Sequence, residues 1–502
     1  WLEPPEPISR APLMLHDLAD NPDVSVVVLS LGTLEVGLSD VEELRAGIAA
    51  IRKAGKKVVA RLASADERTY LVASQADQVL LDPLGTLRLD GFSLHSFYLA
   101  GALDKVGIHF DAVAIGEYKT GPHALTRSES SPAGREVSDD LLNSAYAWLT
   151  DALAKDRALS ADQVQAILAR GYFTGAEAIK AGLVDELTHS VRADELPPLA
   201  PVGYPPELSR RSPKVWGSKS LVRVVPIVGT IAMEESDNPL PGETASAVYI
   251  ADELARAEGD SRVKAVVLRI ESPGGEVMAS EHIWRAVSRL AATKPVVVSM
   301  GTVAASGGYW VATPAAKIFA NDQTLTGSIG IFSLKPDLSG LYELIGVGSE
   351  VRKRGEHADW NSVARPMSDD DRAQTRAILE HYHEIFVDRV RTGRELTQDE
   401  VSRVATGRVW TGEQARTLGL VDARGGVWDA IIDAAGRAQL GLGDFQVDIQ
   451  RDSLQGNLML SVLTGGASSS GRLEEVYGLM QKLRSYDGLP LALMPVQYEV
   501  RP

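Results

Sequence analysis

Three short stretches hold residues whose types and spacing could do chemistry. In VAASGGYW (303–310), which follows the apolar run PVVVSM (295–300), a single serine, Ser306, is presented among alanines and glycines. A hydroxyl on such a turn is a candidate nucleophile, and it needs a base to accept its proton. No histidine lies between His282 and His357, so the usual base is not close in sequence. ESPGGEV (271–277) follows the strand-like VKAVVLRI (263–270), and LTGSIGIF (325–332) adds Thr326 and Ser328. Adjacent glycines after a strand read, on their own, as a tight turn. They can also bare backbone N–H groups for a developing oxyanion. Taken together, the turns gather at strand ends, where α/β sheets place their ligands.

Other candidates carry less. His357 is an alternative base for Ser306. His381 and His383 are two apart in a helical pattern, so their side chains diverge and a metal site is not expected there. Ser368-Asp369-Asp370-Asp371 reads as a helix start, where carboxylates meet the positive end of the helix dipole. No glycine-rich turn carries the P-loop lysine, which leaves nucleotide binding without support. No cofactor and no metal are expected.

The whole composition narrows the partners. The chain has 502 residues, 44% hydrophobic and 24% charged, with a net charge of −16 and no cysteine. That is an ordinary globular balance with room for two or more domains. The negative charge argues against a nucleic-acid surface. The missing cysteines rule out disulfides, thiolate metal sites and cysteine nucleophiles together. No run of about 18 apolar residues marks a membrane span. The sequence opens at Trp1 rather than methionine, and we expect a leader or anchor to have preceded it.

The elements that must position these turns occur twice, about 238 residues apart. FTGAEAIKAGLVD (173–185) returns as WTGEQARTLGLVD (410–422), LSADQV (159–164) as LTQDEV (396–401), VSVVVLSL (24–31) as VKAVVLRI (263–270), and Gly116-Glu117 as Gly355-Glu356. Each copy runs Val-rich strand, helix, Val-rich strand, the order a parallel crossover requires. Ser39 and Glu42 are expected to form a capping box at the first such helix. Val41, Leu44, Ile48 and Ile51 form its apolar stripe, and Gly55 ends it. Ile283, Val287 and Leu290 mark the same stripe in the second copy. Nearly unbroken apolar strands predict sheets covered on both faces.

The fold class is α/β, in two tandem domains with mainly parallel sheets flanked by helices. The expected limits are residues 1–193 and 215–430, joined by a proline-rich linker (194–214) and followed by an extension (431–502). A short helix is expected in EEVYGLMQKLRSY (474–486).

The three turns at these separations resemble the signal peptide peptidase A family of serine peptidases, in its long, tandem-duplicated form, related to Clp protease and crotonase. The resemblance covers nearly the whole chain. It implies that Ser306 is the nucleophile, that a lysine from the other half is the base, and that Ser328 orients the lysine. Gly275 and Gly307 would hold the oxyanion. The duplication locates the lysine: IGEYKTG (115–121) matches RGEHADW (354–360), so Lys119 stands where the second copy has Ala358. Conversely, Glu67 falls at the position of Ser306, and Leu34, Glu35 and Val36 fall near that of Pro273, Gly274 and Gly275. Neither half could run this chemistry alone.

The resemblance further implies apolar peptide substrates such as cleaved signal peptides, a homo-oligomer (a tetramer), and association with the extracytoplasmic face of a bacterial cytoplasmic membrane. Whether the two groups meet within one chain or between chains is left open. A crotonase-like acyl-CoA enzyme and a catalytically silent scaffold are the alternatives.

Overall fold

The computed structural model describes residues 10–189, 219–234, 243–450 and 491–493. The proposed linker and the helix expected at 474–486 lie outside these residues. The first half contributes strands β1 (Val26–Leu31), β2 (Lys57–Leu62), β3 (Gln78–Leu81), β4 (Thr86–Leu89), β5 (His109–Ile115), β6 (Gly171–Thr174) and β7 (Glu186–Leu187). The second half contributes β8 (Ser220–Val228), β9 (Thr230–Ala232), β10 (Thr244–Ser246), β11 (Val263–Ser272), β12 (Gly274–Glu276), β13 (Val296–Ala305) and β14 (Lys317–Ala320). It continues with β15 (Leu325–Gly327), β16 (Ile331–Asp337), β17 (Val409–Thr411), β18 (Ala423–Arg424), β19 (Phe445–Ile449) and β20 (Leu491–Leu493).

The repeat is visible in the pairing. Strands β1-β2-β3-β7 form a parallel sheet. In the second half β11, β13, β14 and β18 run in the same parallel order. The antiparallel pair β4·β6 likewise has its counterpart in β15·β17. The capping boxes are present in both copies, with Ser160 and Gln163 opening one helix and Thr397 and Glu400 the other. Each closes two N–H groups that the first helical turn cannot pair internally.

Burial differs between the halves. β11 and β13 are covered on nearly every residue, as apolar runs between helical layers require. In the first half, however, β1 and β2 are only partly covered, and Val26 is exposed. Their runs of valine therefore overstate how much of that sheet is enclosed.

The first helix after β1 corrects one expectation. It spans Leu38–Lys53 with Gly37 as N-cap and Asp40 closing the capping interaction, and Gly55 follows it in the left-handed region at φ 80°. Ser39 and Glu42 do not cap it, because both reach across to the second half. Ser39 Oγ lies 3.0 Å from Thr324 Oγ1, and Asn321 donates to it at 3.2 Å. Glu42 accepts from the Gln323 N–H at 2.7 Å and pairs with Arg424. One turn of this helix is thus an interface.

Alongside, Arg269 is buried against Glu43 and Asp40. A buried charge group of this kind is costly to break, at about 3–5 kcal/mol for loss of one partner. It locks the two halves in one register. A six-stranded sheet then crosses the boundary, in the order β10-β9-β12-β20-β16-β5. Its β5·β16 pair is antiparallel from Ile115–Ile331 to His109–Asp337 and joins first half to second through main-chain hydrogen bonds.

Candidate active site

Ser306 directly follows β13 and stands at the N-cap of the short helix Gly307–Ala312. Its backbone sits at φ 56°, ψ −114°, held by its N–H to the Gly327 carbonyl at 2.8 Å and by the Trp310 N–H to its own carbonyl at 2.8 Å. A non-glycine residue in such a region stores about 1–3 kcal/mol of strain, which the surrounding structure must impose. The small neighbours explain how the turn fits. A Cβ on Gly308 would stand 2.7 Å from the Ser272 carbonyl oxygen, so a larger residue would push the serine turn off the ESPGG turn.

Lys119 follows β5 on a turn pressed against the second half, with the Tyr118 N–H donating to the Thr406 carbonyl at 2.9 Å. Three glycines make room for it. Gly116 and Gly407 have φ of 108° and 81°, and added Cβ atoms would meet Thr406 O at 2.7 Å and Lys119 N at 2.7 Å respectively. A Cβ on Gly330 would come within 2.8 Å of the Ile115 carbonyl and 3.2 Å of Lys119 Cδ. The lysine stem is therefore threaded through a slot that only main chain can line.

The amine ends at the serine. Lys119 Nζ lies 2.7 Å from Ser306 Oγ and 3.0 Å from Ser328 Oγ, and it donates to the Ser328 carbonyl at 3.0 Å. Both hydroxyl residues are fully buried, Lys119 is 1% exposed, and all three groups belong to one chain. Ser328 is itself in the left-handed region at φ 52°, tied by its N–H to the Arg408 carbonyl at 2.7 Å. Burial alone pushes the Lys119 amine well below the usual lysine range, since desolvation disfavours the ammonium.

The glycine turn stands alongside. Gly275 is in β12, and a Cβ there would fall 1.9 Å from the Ile231 carbonyl, so the absent side chain lets β9 and β12 lie together. Gly307 is the first residue of the helix after Ser306, where N–H groups have no partner within the helix. Glu271 braces both turns by accepting from the Thr302 and Val303 N–H groups at 2.7 and 2.9 Å. Burial, with Asp40 nearby, raises its carboxyl to about 8. Thr326, the remaining hydroxyl of the third turn, donates to the Ala304 carbonyl at 2.7 Å and so supports β13 from behind.

Other candidates lie elsewhere. His357 is at the start of the helix Asp369–Gly393, 2.9 Å from Gln374 Nε2 and 3.3 Å from Asp370, and makes no contact with Ser306. No cluster of metal-binding side chains occurs among the described residues. His383 is half-buried near Lys119, and its depressed basicity comes first from desolvation. Ser368 caps its helix as expected.

The first-half counterpart of Ser306 is also buried. Glu67 opens the helix Glu67–Ser74, and its Oε1 accepts from the Asp90 and Gly91 N–H groups at 2.5 and 2.9 Å. Its other oxygen has no hydrogen-bond partner among the described residues, and burial raises the carboxyl to about 7.

Sequence reasoning missed the second-half residues that seat the lysine. Arg408 pairs with Glu136 and Asp140 of the first half, and its guanidinium lies 4.9 Å from the ring centroids of both Tyr118 and Trp410. Gly407 and Arg408 precede the repeated Thr411-Gly412 (Thr174-Gly175 in the first copy) without matching that copy, so nothing local marked them.

A family model describing peptidase family S49 matches residues 50–195 and 288–441. The chain is 29% identical to "Serine protease SPPA, chloroplastic" of Arabidopsis thaliana, over 96% of this chain and 73% of that protein. It is 33% identical to "Protease 4" of Salmonella typhi, over 78% of this chain and 65% of that protein. "Protease 4" of Haemophilus influenzae is 29% identical over 97% of this chain and 81% of its own length. Among the described residues no helix is long and apolar enough to cross a membrane.

Proposed function

Because this chain belongs to peptidase family S49, we propose that it is a serine endopeptidase working through a Ser306–Lys119 dyad. The observation that carries the reading is a fully buried amine 2.7 Å from a serine Oγ on a strained turn, with burial as the sole cause of its lowered basicity. Family membership favours this over an acyl-CoA enzyme or a silent scaffold. In the domain division proposed above, residues 1–193 supply the base and residues 215–430 the nucleophile.

Neutral Lys119 takes the Ser306 proton as Oγ attacks the peptide carbonyl carbon. The Gly275 and Gly307 N–H groups receive the oxyanion, an arrangement worth about 100-fold to 1000-fold per donor. As the tetrahedral species collapses, the C–N bond breaks and the Lys119 ammonium returns the proton to the leaving amine. Water, deprotonated by the same amine, then attacks the acyl-enzyme, and as the ester bond breaks the Lys119 ammonium returns the proton to Ser306 Oγ. Ser328 keeps Nζ aimed throughout, in the Ser-Lys variant of triad logic.

The substrate is read as an extended apolar peptide, such as a cleaved signal peptide. Assembly into a homotetramer and association with the extracytoplasmic face of a bacterial cytoplasmic membrane complete the reading; sedimentation velocity and membrane fractionation test these. A fluorophosphonate tests the chemistry. It should label the protein on Ser306, as mapped by mass spectrometry, and Ser306→Ala and Lys119→Ala should each abolish peptide turnover while the protein stays folded. Full turnover by either variant would refute the assignment.

A further inference from the structure

The six-stranded sheet contains one strand from far along the chain. β20, residues 491–493, lies between β12 and β16 and is antiparallel to both. Its register sets Leu493 opposite Gly274, Ala492 opposite Gly275 and Leu491 opposite Glu276, with Leu491 also opposite Phe332. Without β20 the sheet would have a gap one strand wide. One wall of that gap is the strand of Gly275. The other is the strand that follows Ser328 and pairs with the one leading to Lys119.

A gap with a free main-chain edge on each side is what an extended peptide needs in order to bind by strand addition. The segment filling it is itself peptide-like. Around β20 the sequence is LPLALMP (489–495), uncharged and apolar, with Pro490 and Pro495 on either side. Proline lacks the N–H a ladder needs, so the segment able to pair is confined to the residues between them. It runs from opposite Glu276 toward Gly274, and it brings the Ala492 main chain level with the proposed oxyanion donor.

We propose that residues 491–493 are a resident strand that occupies the peptide-binding slot of this chain and that incoming peptides must displace. The inference rests on the peptidase reading above, in which the Gly275 N–H on β12 faces the peptide carbonyl. It makes the tail a competitive, built-in inhibitor: turnover of bound peptide is unaffected, but the apparent affinity for peptide is lowered.

The test uses full-length chains, verified by intact mass. Ala492→Pro removes an N–H from the middle of β20, whereas Ala492→Val keeps the strand. With a fluorogenic apolar peptide, Ala492→Pro should lower KM at least threefold at unchanged kcat, Ala492→Val should not, and added peptide LPLALMP should restore the higher KM competitively. An unchanged KM, or no inhibition by LPLALMP, would overturn the proposal. A second readout does not depend on turnover. In the Ser306→Ala background, amides of residues 274–276 should exchange with deuterium faster when Ala492 is proline. Equal exchange rates overturn the resident strand. Absence of both turnover and fluorophosphonate labelling would instead count against the peptidase reading, and the exchange comparison would still decide whether the slot is filled.

Discussion

Gly407→Ala offers a sharp test of how the lysine is held. The added Cβ would lie 2.7 Å from Lys119 N, 2.8 Å from its Cβ and 3.0 Å from its Cα, against the 3.4 Å at which ordinary contact begins. Those atoms are main chain and its first carbon, so they cannot swing aside as a flexible side-chain end would. The lysine turn must then retreat by about 0.7 Å. The 2.7 Å approach of Nζ to Ser306 Oγ would open beyond hydrogen-bond length. Proton transfer contributes about 100-fold to 10,000-fold in such sites, and small misplacements forfeit much of it. We therefore expect kcat/KM to fall at least about 100-fold.

The left-handed backbone adds a cost of its own, since Gly407 has φ 81° and alanine there is disfavoured by about 1–2 kcal/mol. Gly346→Ala separates the two effects. That residue has φ 72° and, among the described residues, nothing within 4 Å of an added Cβ, so it carries the backbone cost without the collision. In urea titrations Gly407→Ala should lose more stability than Gly346→Ala, by about 1–3 kcal/mol from the collision, and only Gly407→Ala should lose activity on a fluorogenic peptide. Activity within twofold of the parent for Gly407→Ala would refute the packing argument.

The remaining expectations address the titrating and strained groups. Because the base must be neutral, kcat/KM should rise with pH on a limb centred well below the ordinary lysine range; a limb centred at the ordinary lysine value of about 10.4 would contradict it. Ser328→Ala should lower kcat about 10-fold to 100-fold with little change in KM, since the hydroxyl aims Nζ rather than binding peptide. Glu67 has a carboxyl raised from 4.5 to about 7, so the folded state holds its proton more tightly and stability falls as pH rises between those values. Glu67→Gln should thus gain on the order of 2–3 kcal/mol over the parent at pH 8, and the gain should vanish toward pH 4.5; a pH-independent difference in urea midpoints would rule this out. Finally, Ser306→Gly and Ser306→Ala both lose the hydroxyl, but glycine tolerates φ 56°, so it should be the more stable of the two by about 1 kcal/mol in thermal unfolding; equal stability would mean the turn is not strained.

Much of this protein was legible from residues alone. The duplicated strand–helix–strand order, the paired capping boxes and the three small-residue turns depend on local periodicity and turn chemistry, and those are properties of short windows of sequence. So does the asymmetry of the copies: Lys119 against Ala358 and Ser306 against Glu67 can be read from the repeat register. Where local reading failed, a partner from the other half had taken over. Ser39 and Glu42 had the spacing of a capping box, yet their polar groups found better-buried partners in Thr324, Asn321 and Gln323 across the boundary.

Only the tertiary structure decided that Nζ and Oγ touch, 187 residues apart and within a single chain. It also decided that the amine is dry, because desolvation is the sum of many surfaces closing around one atom and no neighbour in sequence carries it. The same holds for the slot beside Gly275. Whether a strand edge is free, and which segment lies along it, depends on where distant main chain comes to rest, and side-chain pattern does not encode that.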